Sequence, residues 1–86
     1  MDKPPFLYHP LVTEADVGPE QTGEIFADLS TSYHLFLIRA DITGILEPVV
    51  EKFTDPTIYN TLRLGTRVKF RTTIRYPKVV SLAIIP

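Results

Sequence analysis

A strict two-residue alternation near the C-terminus constrains this chain most. Val68, Phe70, Thr72, Ile74 and Tyr76 interleave with Arg67, Lys69, Arg71, Thr73 and Arg75, which is the period of a strand with one face on a core and the other in water. Pro77-Lys78 reads as a tight reversal, and Val79 to Ile85 as a returning strand with Val80, Leu82 and Ile84 inward. The other side of that strand, Val79, Ser81, Ala83 and Ile85, is also largely apolar, so it calls for cover by an N-terminal arm or another subunit. With 86 residues, 44% of them hydrophobic, the chain has material for one core and no room for a second.

The same reasoning extends upstream. Gly23 to Leu29 alternates so that Ile25, Ala27 and Leu29 share a face, Ser30-Thr31-Ser32 is a turn cluster, and Tyr33 to Arg39 is a nearly continuous apolar strand. These two strands are expected to form a hairpin. Asp41-Ile42-Thr43-Gly44 turns the chain into a third strand, Ile45 to Phe53, where Pro48 cannot donate to a ladder and therefore belongs at an edge or a bulge. Asp55-Pro56 is an N-cap followed by proline at the first helical position, Ile58, Tyr59 and Leu62 suit one face of a short helical turn, and Gly65 closes it. Residues 1–21 hold prolines at 4, 5, 10 and 19 and no period, so they read as an irregular arm. Within it Phe6-Leu7-Tyr8 and Leu11-Val12 are too apolar for a solvated tail; the arm either folds back on the barrel or docks on a partner. The expected architecture is all-β: an arm (1–21) and a small five-stranded OB-type Greek-key barrel (22–86), with a short helical turn between strands three and four.

The net charge of −1 hides an asymmetry. Residues 1–60 hold all ten acids and three bases, while residues 61–86 hold six bases and no acid, so the two stretches carry −7 and +6. Bases gathered on one element can make a local positive surface on a protein that is neutral overall.

Cysteine is absent, which removes disulfides, thiolate zinc sites and thiol nucleophiles. His9 and His34 are the only imidazoles and show no metal-ligand spacing, and Ser30, Thr31 and Ser32 lie near His34 without an acid placed to orient it. Asp28 and Asp41 read as turn residues, and the four glycines form no phosphate-cradling loop. A non-enzyme without metal or cofactor is expected. The chain opens Met1-Asp2-Lys3-Pro4-Pro5 without a basic-then-apolar leader, and no apolar run approaches membrane-spanning length. A soluble, cytoplasmic protein with no membrane association is therefore the expectation.

From about residue 22 to 86 the wording resembles the cold-shock domain, a family of OB barrels that bind single-stranded RNA or DNA. The matching residues are Gly23-Glu24-Ile25 opening strand one, Leu35-Phe36-Leu37-Ile38 in strand two, Leu62 to Phe70 entering strand four, and Val80 to Ile84 in the closing strand. The resemblance implies a nucleic-acid surface of base-stacking aromatics on strands two and three. Registered on Ile38, those strand-two positions fall on Leu35 and Leu37; strand three reads Ile45-Leu46-Glu47-Pro48-Val49-Val50, and the chain has no tryptophan.

Two functions are open at this point. One is a single-stranded nucleic-acid module, gripping phosphate with Arg67, Lys69, Arg71 and Arg75, helped by Arg63 and Lys78, and stacking bases on Tyr33 and Phe36 beside His34, with Phe26 and Tyr76 as further aromatics. Phe36 serves only if strand two is shifted by one residue from the family register. The other is a non-catalytic protein-interaction or assembly domain, in which the basic face meets an acidic partner, or the arm or final strand completes an interface with a partner or a second copy. Exposed aromatics beside the basic strand favour the first; aromatics confined to the core favour the second.

Overall fold

Strand β1 (Gln21–Leu29) runs through the middle of one antiparallel sheet, in a computed structural model that describes residues 13–75 and 78–86. On one side it pairs with β2 (Leu35–Ala40), which pairs with β3 (Leu46–Val50); on the other it pairs with β4 (Arg67–Thr72), which pairs with β5 (Val79–Ile84). The resulting order, β3-β2-β1-β4-β5, is that of the expected OB-type barrel. Closure is incomplete: β3 and β5 approach each other, but no ladder joins them among the described residues.

The core sits inside the curled sheet. Ile25, Phe36, Ile38, Val49, Val68, Phe70 and Leu82 converge from all five strands, and Tyr59 and Leu62 close one end. Tyr59 ends a single helical turn, α2 (Pro56–Tyr59), whose start matches its reading in the sequence: Asp55 accepts from the Thr57 amide at 2.8 Å, and Pro56 stands where no intrahelical donor is required. Gly65 does not close that helix. It stands in the left-handed region (φ 86°) in the approach to β4, where its amide donates to the Ile25 carbonyl at 2.9 Å.

Four further expectations need correction. Ile25, Ala27 and Leu29 do not share a face, because the β1–β2 register slips between Ile25 and Ala27; Phe26 is the extra residue, and Ala27 and Leu29 are carried across to sit opposite Leu37 and Leu35. The Ser30–Ser32 turn is a full helical turn, α1 (Ser30–Tyr33), which takes Tyr33 out of strand two and ends on His34 in the left-handed conformation (φ 57°, ψ 42°). Strand three is shorter than 45–53, since Glu51–Phe53 coils into a 3₁₀ turn. Strand four stops at Thr72, because the chain upstream of β1 takes over its next hydrogen bonds. Gly18 donates to the Thr72 carbonyl, Ile74 donates to the Asp16 carbonyl, and Val17 bridges Thr73. Ile74, expected inside, is consequently 64% exposed.

Pro48 is on an edge strand, as its missing donor requires. Ala40 donates to the Ile45 carbonyl and Glu51 to the His34 carbonyl, so the bonded pairs of the β2–β3 ladder fall on alternate residues. Pro48, opposite Leu37, then lies at a non-bonded position. Its nitrogen points along the free edge and leaves no donor there. Beside it Glu47 turns inward and is only 8% exposed. Proline and an inward carboxylate are both devices that discourage edge-to-edge pairing. Predicted features at Phe6-Leu7-Tyr8, His9, Leu11-Val12, Tyr76 and Pro77 lie outside the described residues.

Candidate interaction surface

The outer side of the β1–β2–β3 region follows from the slip at Phe26. Directly opposite residues on neighbouring strands share a face, so Leu29, Leu35 and Val50 form one row, Ala27, Leu37 and Pro48 the next, and Arg39 lies opposite Leu46 in the third. Two complete rows are aliphatic. Phe26 borders this surface at 49% exposure, with the Arg39 guanidinium 4.9 Å from its ring centroid, a contact of about 0.5–1 kcal/mol at an exposed site. Arg39 also lies 3.4 Å from Glu24 at the same end, and Glu51 and Lys52 follow β3 at the other.

The basic strand differs from its reading in the sequence. Arg67, Lys69 and Arg71 do line the outer side of β4, but two of the three are engaged. Arg67 donates twice to the Asp41 carboxylate, once at 2.8 Å, and Thr22 donates to the same group at 2.7 Å. Asp41 is thereby held well below the usual carboxylate range, by Arg67 first and Thr22 second, and the Arg67 guanidinium is pushed further up by the same bond. Arg71 pairs with Glu14 and donates from Nε to the Gly18 carbonyl at 2.9 Å. The −7 and +6 stretches thus fold onto one another. Lys69, opposite Thr22 and Ala83, is exposed between them.

The other predicted site residues scatter. Arg63 turns back to the carbonyls of Asn60 and Leu62, at 3.1 and 2.8 Å. Arg75 and Lys78 are exposed in the β4–β5 connection, away from β1 and β2. Tyr33 is 69% exposed on α1. His34 follows it, with Nδ1 3.1 Å from the Glu51 carboxylate. Phe36 is corrected outright as a stacking residue: it is 4% exposed and packs edge-on against Tyr59, ring centroids 5.0 Å apart. The register puts Phe36 inside and Leu35 and Leu37 outside. Phe26 and Phe53 are exposed aromatics with a cation over the ring, Arg39 at 4.9 Å and Lys52 at 5.3 Å, and only the slip, which no glycine announces, puts Phe26 beside the apolar rows.

A cleft of about 250 Å³ opens at the end of the barrel, between Asp28 and Ser30 on one side and Tyr59, Leu62 and Arg63 on the other. Ser30 donates to Asp28 from both its amide and its hydroxyl, which lowers the Asp28 carboxyl, while His34 engages Glu51. The serine thus meets an acid and the histidine a different acid, which is not the order of a nucleophilic triad. The Tyr59 hydroxyl is buried without a hydrogen-bond partner, and burial pushes its pKa up. Among the described residues no cluster of three His, Asp or Glu is arranged to hold a metal, and no helix is long and apolar enough to cross a membrane. Comparison with family models, curated proteins and solved structures found no match to this chain.

Proposed function

We propose that this domain is a non-catalytic protein-interaction or assembly module whose working surface is the outer face of β1, β2 and β3. The observation that carries this reading is the pair of aliphatic rows, Leu29-Leu35-Val50 and Ala27-Leu37-Pro48, presented side by side on one sheet face. A contiguous apolar patch of this kind marks an interaction site on a soluble domain, and an apolar centre with a polar rim is the anatomy of protein contacts. The engagement of Arg67 by Asp41 and of Arg71 by Glu14 supports it further, since a phosphate would have to displace a carboxylate at each.

One observation favours the nucleic-acid reading: Phe26, stacked under Arg39, is a flat side chain beside a cation, with Lys69 on the same sheet. An amide NMR titration with mixed single-stranded RNA and DNA oligonucleotides, at low and near-physiological salt, separates the two. The interaction reading expects no saturable shifts. Shifts at Phe26, Arg39 and Arg67 to Arg71 that weaken as salt rises would overturn it.

A further inference from the structure

The Tyr59 hydroxyl is out of keeping with its surroundings. Tyr59 is 5% exposed, and its hydroxyl is buried without a hydrogen-bond partner while the ring packs edge-on against Phe36. Phenylalanine would fill the same space without a stranded polar atom, so packing alone gives no reason for a tyrosine here. Tyr59 lines the cleft at the barrel end together with Asp28, Ser30, Asn60 and Arg63, and Phe36 and Leu62 supply the apolar lining. The charged groups in it keep free bonding capacity. Both bonds from Ser30 fall on Oδ1 of Asp28, and among the described residues Oδ2 receives none. Arg63 uses Nη1 on the Asn60 and Leu62 carbonyls, which leaves Nη2 and Nε. Asp28 and Arg63 thus line one cleft, near enough for the Arg63 charge to help lower the Asp28 carboxyl, yet no hydrogen bond joins them.

Charge and size define an occupant. A carboxylate and a guanidinium that share a cleft without closing on each other suit a molecule that carries both opposite charges. Asp28 and Glu51 add to burial in holding the proton on Tyr59, so the field at that hydroxyl is negative and favours an ammonium beside it. The cleft, about 250 Å³, lies below the roughly 300–1,000 Å³ of sites for drug-sized ligands, which is too small for a nucleotide or a peptide. We propose that it binds a free aliphatic α-amino acid, with the ammonium between the Asp28 carboxylate and the Tyr59 hydroxyl oxygen, the carboxylate on Arg63 and Asn60, and the side chain against Phe36 and Leu62. This site is at the end of the barrel and does not depend on the outer face of β1, β2 and β3.

Amide NMR of the full chain, titrated with alanine, valine and leucine, tests it. Two further probes each carry one of leucine's charges: isocaproate has the carboxylate alone and isoamylamine the ammonium alone. The expected result is saturable shifts at Asp28, Ser30, Asn60 and Arg63 with at least one amino acid, and about tenfold weaker binding of either single-charge probe than of leucine. Y59F keeps the ring contact and should weaken amino-acid binding about tenfold, while melting no lower than the parent without ligand. R63Q should bind leucine and isoamylamine alike, because the carboxylate has lost its cation. No saturable shift with any of the three amino acids would overturn the proposal. So would isoamylamine or isocaproate binding as well as leucine to the parent, or binding that Y59F leaves unchanged. Shifts confined to the outer face of β1, β2 and β3 would also overturn it, and would leave the interaction reading in place.

Discussion

Asp41 and Arg67, 26 positions apart in the chain, close on each other through two hydrogen bonds at the end of the sheet, and Thr22 completes the carboxylate's contacts. The pair ties the β2–β3 turn to the first residue of β4 across the start of β1. It also withdraws the leading cation of the basic strand from the surface charge.

The pH behaviour of this pair has a definite sign. A carboxyl whose folded pKa is depressed contributes stability that is present above its ordinary value of 3.8 and is lost as pH falls through the folded value. The melting temperature should therefore drop on acidification below about pH 4. D41N should melt lower than the parent at neutral pH, with a shallower acid slope. Thermal denaturation at stepped pH checks this, and an unchanged slope in D41N would assign the acid transition to other groups.

Glu47 works in the opposite direction. Burial raises its pKa, so the folded chain binds the proton more tightly than the unfolded one, and stability falls as pH rises from the ordinary value of 4.5 through the folded value. E47Q should melt higher than the parent at pH 7 and equal to it in acid. E47V should melt higher still but form concentration-dependent β-aggregates, visible by light scattering, because the edge loses its inward charge. A soluble E47V would remove the protective role.

Gly23 on β1 leaves no room for a side chain against β2. A Cβ there would stand 2.5 Å from the Arg39 carbonyl oxygen and 2.8 Å from an Ile38 methyl, so backbone must move. G23A should lose more than about 2 kcal/mol in urea denaturation. G18A, whose Cβ would meet the Thr72 carbonyl at 3.4 Å, should lose much less.

The two rings of the Phe36–Tyr59 contact should respond differently. F36A empties a fully packed site and should cost about 3–5 kcal/mol, a large share of a small domain's stability. Y59F removes a buried hydroxyl that has no partner and should stabilise, by up to about 1 kcal/mol. A destabilised Y59F would mean that the hydroxyl is hydrogen-bonded in solution.

Much of the fold was legible because its signals are local. The alternation through Arg67 to Thr72 and the apolar returns of β2 and β5 name strands by period alone, Pro48 names an edge, and Asp55-Pro56 names a helix start. The surface was not legible, because it depends on relations between distant residues. One extra residue at Phe26 moves Ala27 and Leu29 to the other side of the sheet. The basic stripe is clear in the sequence, but Glu14 and Asp41 reach Arg71 and Arg67 only through the topology. The left-handed turn at His34, on a residue other than glycine, gave no signal either.

A closed barrel has its girth set by strand number and stagger. Here four ladders fix the stagger of five strands, and among the described residues none joins β3 to β5. The circumference is therefore free to follow the volume of what it encloses. A bulkier residue at the buried Val49 or Leu82 is expected to act first on the unladdered line between the two edges.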